Sequence, residues 1–158
     1  VRGPNICPGY WRRPDATAAA FVDGWFRTGD IGVRDKDGYI TLQGRRSDLI
    51  ISGGFNVYPR EIEEFLYRHP QIQDVQVVGV PDQKFGEELC AWIIAKPGQS
   101  VTEDDIRAFC KGQIAHYKVP RYIRFVDAFP MTVTGKIQKF KIRETMMQQL
   151  QLQPEQTA

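Results

Sequence analysis

Three short segments of the chain combine residue types that can bind a sugar, a phosphate or an extended ligand. In residues 24–30, Asp30 follows a glycine turn, and a carboxylate there can accept two hydrogen bonds from a sugar diol. Residues 44–63 contain Arg45 and the pair Gly53-Gly54. Arginine can hold a ribose or phosphate oxygen, and adjacent glycines let a ligand lie against the main chain. Without a ligand, Asp30 would be a turn aspartate that bonds to its own backbone. Residues 44–63 would then be a strand–turn–helix whose glycines only form the turn.

The third segment, residues 130–139, contains Gly135-Lys136. It is not a Walker phosphate loop, because no glycine stands five residues before Gly135 and no Ser or Thr follows Lys136. A lysine on a glycine-hinged loop can still deliver a point charge to a phosphate or carboxylate. The alternative is an ordinary solvated surface lysine.

The elements that must position these segments follow from hydrophobic spacing and turn residues. Strands are predicted at 49–51, 75–80, 89–95 and 122–126, with Pro81-Asp82 ending the second. Helices are predicted to begin at Pro59, to run from Thr102 to about Ala115, and to follow Lys136. The first forty-odd residues predict loops and short hairpins, including one between the runs 31–33 and 39–42, but no continuous helix. The fold class is therefore α+β, with a small sheet of short strands flanked by about three helices.

Composition excludes several classes of function. The chain has 158 residues with 21 basic and 19 acidic side chains, a balance that argues against electrostatic binding of nucleic acid. Three cysteines without CxxC spacing and two histidines indicate neither a disulfide framework nor a metal site. No apolar run approaches the ~18 residues that a transmembrane helix needs. The sparse cysteines and the lack of a signal segment favour a cytoplasmic location, or the mitochondrial matrix in a eukaryote.

Taken together and in this order, the three segments resemble one family. From Arg2 to Arg143 the chain is similar to the C-terminal portion of the acyl-adenylate-forming (AMP-binding) enzymes. These include acyl- and aryl-CoA synthetases, firefly luciferase and the adenylation domains of peptide synthetases. Residues 54–59 (Gly-Phe-Asn-Val-Tyr-Pro) and 109–120 resemble the fatty acyl-CoA synthetases within that family.

The resemblance implies an acid–thiol ligase that uses ATP to form acyl-AMP and then transfers the acyl group to CoA. Its substrates would be ATP, CoA and a fatty or other carboxylic acid. The resemblance also implies that Mg²⁺, the phosphate loop and the acid pocket belong to a large N-terminal domain that this chain lacks. On its own the chain is therefore expected to be inactive.

Individual residues take roles from the resemblance. Lys136 matches the catalytic lysine, while Asp30 and Arg45 match the residues that bind the AMP ribose and phosphate. The CoA-binding turn corresponds to Gly53, Gly54 and Phe55. Ser47 stands at the hinge about which the C-terminal domain rotates between the two half-reactions, where relatives usually carry Asp or Lys.

This assignment divides the chain into three parts. Residues 1–45 would be the β-hairpin edge of the large N-terminal domain, residues 46–150 a mobile lid domain, and residues 151–158 a flexible tail. Two alternatives stay open. The first is a non-catalytic CoA- or nucleotide-binding or interaction module of the same family. The second is a luciferase-like or peptide-synthetase adenylation domain, which residues 54–59 disfavour.

Overall fold

A computed structural model of the chain describes residues 1–152. The chain divides into two compact units, residues 1–47 and the residues from Asp48 onward. The first unit consists of small pieces. These are helix α1 (Pro14–Ala20), the strands β1 (Phe21–Val22), β2 (Trp25–Phe26), β3 (Asp30–Arg34) and β4 (Ile40–Arg45), and most of a 3-10 helix over Arg46–Asp48.

The strands of the first unit form two antiparallel hairpins, β1–β2 and β3–β4. The hairpin predicted between residues 31–33 and 39–42 is confirmed. Its turn is held by the Asp35 carboxylate, which accepts the N–H groups of Asp37 and Tyr39, both at 2.9 Å. The prediction of no helix in this region is wrong, because Pro14 occupies the first turn of α1 and an alanine run follows it. Proline is pre-set for that position and alanine has the highest helix propensity.

The second unit is built on one five-stranded sheet with three helices. In chain order its elements are β5 (Ile50–Ser52), β6 (Phe55–Val57), α2 (Pro59–Leu66), β7 (Ile72–Asp82), β8 (Gly86–Ala95), α3 (Glu103–Cys110), a 3-10 turn (His116–Lys118), β9 (Tyr122–Phe125) and α4 (Lys139–Gln149). The strand order is β6-β5-β8-β7, and β9 pairs with β8 in parallel. This confirms the predicted α+β class.

Several element boundaries differ from the prediction: β7 begins at Ile72 and β8 at Gly86, each three residues early, and the ends of β7 and α3 are also displaced. Strand β7 continues through Pro81 because its pairing with β8 extends to Asp82 opposite Gly86. The turn begins only there, where the Asp82 carboxylate accepts the N–H groups of Lys84 and Phe85. Helix α3 stops at Cys110, five residues early, because Lys111 is extended and Gly112 has φ +74°.

The sheet buries side chains on both of its faces. One face packs against α2 and α3, with Ile62, Leu66 and Ile106 fully buried. The other packs against α4 through Ile142 and Met146. Alternate residues of β8 serve the two faces, as the period of two along a strand requires. Fully burying an aliphatic side chain contributes about 1.5–3 kcal/mol, so both faces stabilise this unit.

After α4 the chain stays against the core as far as Leu152. Gln151 donates its N–H to the Gln148 carbonyl, and Leu152 donates to Met147 and packs against the core face under α4. The rest of the tail predicted at 151–158 lies outside the described residues. None of the helices within residues 1–152 is long and apolar enough to span a membrane.

Candidate functional site

The hairpin β3–β4 brings the two predicted nucleotide ligands together. Asp30 and Arg45 lie opposite each other in its register, and Arg45 Nε is 3.4 Å from Asp30 Oδ1. The arginine side chain is 65% exposed and that of the aspartate 28%. The Asp30 backbone is fixed by its N–H, which donates to Thr28 Oγ1 at 3.1 Å. A hydrogen-bond acceptor and a cationic donor side by side can bind adjacent hydroxyl groups or a phosphate.

Ser47, the predicted hinge, is the last residue of the first unit. It lies inside the 3-10 helix over Arg46–Asp48. The start of that helix is tied back to the first unit, because the Arg46 N–H donates to the Gly29 carbonyl at 2.8 Å.

The glycine pair forms the tight turn between β5 and β6. Ser52 pairs with Phe55, and both glycines have positive φ, +57° at Gly53 and +84° at Gly54. Two-residue hairpin turns of this kind favour glycine. A Cβ on Gly53 would lie 3.3 Å from Phe85, whereas a Cβ on Gly54 would meet nothing within 4 Å. Gly54 therefore presents open main chain.

A cavity of about 490 Å³ lies beside this turn. Phe55 is 53% exposed and stacks on Tyr117, with ring centroids 4.3 Å apart and planes 12° apart. The lining also includes Phe85, Arg107 and Arg121. The lining thus offers aromatic faces to a ligand that carries a ring, while Arg107 is already paired with Glu103 at 2.8 Å.

Ion pairs support the walls of the cavity. Lys118 Nζ lies 2.5 Å from Glu61 Oε1, which links the 3-10 turn that carries Tyr117 to α2. Arg121 lies 3.2 Å from Glu88, and this hydrogen bond raises the pKa of the arginine further above its ordinary value.

Sequence reasoning missed Phe85 and Tyr117 as site residues. Phe85 belongs to none of the motifs, and Tyr117 lies in the segment 109–120 without any predicted role. Each meets the glycine turn only through folding.

Lys136 is carried by a separate small hairpin, residues 130–138. Met131 and Ile137 form a β-bridge, and the Gln138 N–H donates to the Pro130 carbonyl at 2.8 Å. Gly135 has φ +78°, which makes the tight turn just before the lysine. Lys136 is exposed, and within residues 1–152 its ammonium group has no hydrogen bond or ion pair.

The base of this hairpin is anchored by another lysine. Lys139, the first residue of α4, lies 2.6 Å from Glu63 Oε1, and the same oxygen accepts the Val77 N–H at 2.8 Å. A half-buried charge of this kind is stable only when paired.

The predicted site residues fall into three groups. Asp30 and Arg45 lie together on one hairpin, and Gly53 and Gly54 lie in one turn next to Phe55. Lys136 is not among the residues that line the cavity. The described residues contain no cluster of three or more side chains suited to holding a metal ion.

The second unit thus combines an exposed lysine hairpin with a glycine turn beside an aromatic cavity. Residues 61–136 match the family model of the AMP-binding enzyme C-terminal domain. Over this range, just under half of the chain, the sequence is that of a C-terminal domain of the adenylate-forming enzymes. The matched range includes Lys136 and ends on it, but begins after the glycine turn.

Similar proteins extend the match over nearly the whole chain. The Bacillus subtilis (strain 168) protein named "Putative acyl-CoA synthetase YngI" is 54% identical over 157 residues, 99% of this chain and 29% of its own length. The rat mitochondrial medium-chain acyl-CoA ligase ACSF2 is 52% identical over 153 residues, 96% of this chain and 25% of its own. The crystal structure of ATP-bound MatB from Rhodopseudomonas palustris superposes with a TM-score of 0.84 at 42% identity, covering 91% of this chain and 29% of that one. The chain thus spans between a quarter and a third of the length of these relatives.

Proposed function

We propose that the chain is the C-terminal part of an ATP-dependent fatty acyl-CoA synthetase, which forms acyl-AMP and then acyl-CoA. The observation that carries this proposal is that one folded unit presents two distinct ligand surfaces, the unpaired Lys136 hairpin and the glycine turn beside its cavity. Two of the relatives are named as an acyl-CoA synthetase and a medium-chain acyl-CoA ligase. Their names favour a fatty acid as the substrate.

In the first half-reaction the substrate carboxylate attacks the α-phosphate of ATP and pyrophosphate leaves. Negative charge is concentrated on the reacting carboxylate and phosphate oxygens, and a preorganised cation lowers that barrier. Lys136 is the proposed cation. Its ammonium group is exposed and has no competing carboxylate within the described residues, so it is available to the reacting oxygens.

The proposed ligands of the AMP ribose are Asp30 and Arg45. The carboxylate accepts hydrogen bonds from the two ribose hydroxyls, and the guanidinium, 3.4 Å away, donates to the same ribose or to the phosphate. Their shared hairpin keeps the two groups in one geometry.

In the second half-reaction the CoA thiol attacks the acyl-AMP carbonyl and AMP leaves. We assign the thiol-bearing arm of CoA to the open main chain at Gly53 and Gly54, with Phe55 beside it. The adjoining cavity of about 490 Å³ has room for part of the ligand. Ser47 is the proposed hinge about which the second unit changes place between the half-reactions.

The decisive experiment separates the two half-reactions in the full-length enzyme that contains this chain. Lys136→Ala should lower acid-dependent formation of acyl-AMP by about 100- to 1000-fold, the usual cost of removing one charge-stabilising donor. Formation of the thioester from added acyl-AMP should stay near the wild-type rate. Lys141→Ala, which removes another exposed lysine of the same basic run, is the matched control. Equal loss of both half-reactions would refute the role of Lys136.

A second candidate is a non-catalytic module of the same family that binds CoA or nucleotide. It is favoured by the cavity of about 490 Å³ beside the glycine turn, which could hold part of such a ligand without any reaction. Titration of the chain with CoA tests for such binding, and pyrophosphate release with ATP and a fatty acid tests for turnover. Binding without turnover is expected of the isolated chain under both functions, so only the full-length enzyme distinguishes them.

For the cellular compartment we propose a reducing one, either the cytoplasm or the mitochondrial matrix. The buried thiols of Cys90 and Cys110 stay reduced in such a compartment.

A further inference from the structure

We propose that Thr132 is the residue that positions Lys136. This inference rests on the proposed function, since it assumes that Lys136 stabilises charge during acyl-AMP formation. Thr132 lies four residues before the lysine, across the turn of the hairpin formed by residues 130–138. It is half-buried, whereas residues 133–136 at the tip of the hairpin are all exposed.

Three polar groups of Thr132 hold the Gly135-Lys136 backbone. The Thr132 N–H donates to the Lys136 carbonyl at 2.8 Å, and its carbonyl accepts the Gly135 N–H at 2.9 Å. The hydroxyl Oγ1 accepts the Lys136 N–H at 3.1 Å. Lys136 is therefore bonded to one residue through both its N–H and its carbonyl, and one of those two bonds depends on a side chain.

Apolar packing cannot replace these bonds at the tip of the hairpin. The Val133 side chain is fully exposed and Met131 is 51% exposed, so burial does not fix the direction in which the lysine leaves the turn. Glycine at 135 adds backbone freedom on the other side. The Thr132 hydroxyl is thus the side-chain contact that limits the orientation of the Lys136 backbone among the described residues.

Thr134 provides a matched control within the same turn. Its hydroxyl lies 2.9 Å from the Thr132 hydroxyl, and this is its hydrogen bond within residues 1–152. Replacing Thr134 by valine removes a hydroxyl from the same hairpin but leaves the bond from the Lys136 N–H to Thr132 Oγ1 in place.

The test compares Thr132→Val, Thr132→Ser and Thr134→Val in the full-length enzyme. Valine keeps the shape of threonine but removes the acceptor, and serine keeps the acceptor. We expect Thr132→Val to lower kcat for acyl-AMP formation about tenfold, less than the ~100-fold that a misplacement of 1 Å can cost. Thioester formation from added acyl-AMP should be unchanged. Thr132→Ser should restore acyl-AMP formation, and Thr134→Val should resemble the wild type.

Two outcomes would overturn the inference. One is a Thr132→Val enzyme whose acyl-AMP formation equals that of Thr134→Val. The other is an equal loss in both half-reactions, which would show a general structural role. Lys136→Ala is assayed alongside: if it forms acyl-AMP normally, the proposed function itself fails, whatever Thr132 does. If Thr132→Val does not fold, Thr132→Ala is compared with Thr132→Ser in the same two assays.

Discussion

The lysines of the second unit differ in whether a carboxylate holds them. Lys118 and Lys139 lie 2.5 and 2.6 Å from glutamate oxygens, and both join a loop or helix start to α2. Lys136 is exposed and unpaired within the described residues. An ammonium group already bound to a carboxylate would have to break that ion pair before it could meet a reacting phosphate. Lys136 is therefore free to take the proposed role of stabilising charge, whereas Lys118 and Lys139 stabilise the scaffold around it.

The cysteines give a prediction that depends on burial alone. Burial raises the pKa of Cys90 to about 12 and that of Cys110 to about 11, so both are protonated thiols near neutral pH. The thiolate is the reactive form. We expect iodoacetamide to modify the exposed Cys7 in the native protein and to spare the other two, as peptide mass spectrometry would show.

Denatured protein is the control for that experiment, because all three thiols should then react. Modification of Cys90 in the native protein as fast as Cys7 would contradict the buried position of this residue in the sheet.

At the scale of elements, Gly54 and Gly98 form a matched pair for testing the glycine turn. Their φ values are +84° and +73°, and a Cβ on either meets nothing within 4 Å. Leucine at either position should therefore cause a similar backbone strain of about 1–2 kcal/mol. Only Gly54 lies at the proposed path of CoA.

We expect Gly54→Leu to raise KM for CoA at least about tenfold, a binding loss of about 1.4 kcal/mol. Gly98→Leu should leave KM for CoA unchanged, and both variants should retain acyl-AMP formation. Steady-state kinetics in the full-length enzyme measure these values. An equal rise in KM for both variants would mean that the effect comes from general strain rather than from the turn.

Helix α3 gives a prediction about pH. Its first turn is closed by a capping box, in which the Asp105 carboxylate accepts the Thr102 hydroxyl and N–H at 2.7 and 2.9 Å. The hydroxyl first, and then the N–H, lower the pKa of Asp105 from its ordinary value of 3.8. Because the folded pKa is the lower one, the stabilisation is present above the unfolded pKa and is lost as the pH falls through the folded pKa.

Asp105→Ala should therefore destabilise the protein more at about pH 7 than at about pH 3, which is below the ordinary pKa of 3.8, so that part of the stabilisation is already lost there. Urea unfolding at the two pH values measures the difference. Asp104→Ala is the control, since it removes a carboxylate from the same turn that is outside the capping box. A destabilisation by Asp105→Ala that is the same at both pH values would show that the carboxylate charge has no part in it.

Which elements could be predicted depends on the range of the interactions that fix them. The start of α2 at Pro59, the start of α3 at Thr102 and the β3–β4 hairpin depend on neighbouring residues, and local pattern predicted all three. The true end of β7 is set by its pairing with β8, which lies outside any local pattern. The early end of α3 has a local signal in Gly112, whose positive φ follows the helix, and the predicted end at Ala115 overlooked that signal.

The same distinction holds for the candidate site. Asp30, Gly54 and Lys136 each lie in a short distinctive segment, which is why sequence motifs pointed to them. Phe85 and Tyr117 are ordinary aromatic residues in sequence. They reach the glycine turn only because the turn between β7 and β8, which carries Phe85, and the 3-10 turn after α3, which carries Tyr117, are folded against it.

For the whole molecule, the distribution of burial predicts which part of the chain can fold alone. Every core residue belongs to the second unit, from Ile50 onward, and residues 1–47 contain no fully buried side chain. Small domains fold alone only if they bury enough apolar surface. We therefore expect residues 48–158, expressed alone, to unfold cooperatively in urea, and residues 1–47 alone to show no cooperative transition.

Two variants show whether that transition belongs to the core described above. Ile106→Asp places a charge where the side chain is fully buried, while Val133→Asp places one on a fully exposed hairpin tip. An unpaired buried charge is strongly destabilising, so the first variant should abolish the transition of residues 48–158 and the second should leave it intact. If residues 48–158 are unfolded while the complete chain is folded, the first unit must supply stabilisation that its own lack of buried side chains does not explain.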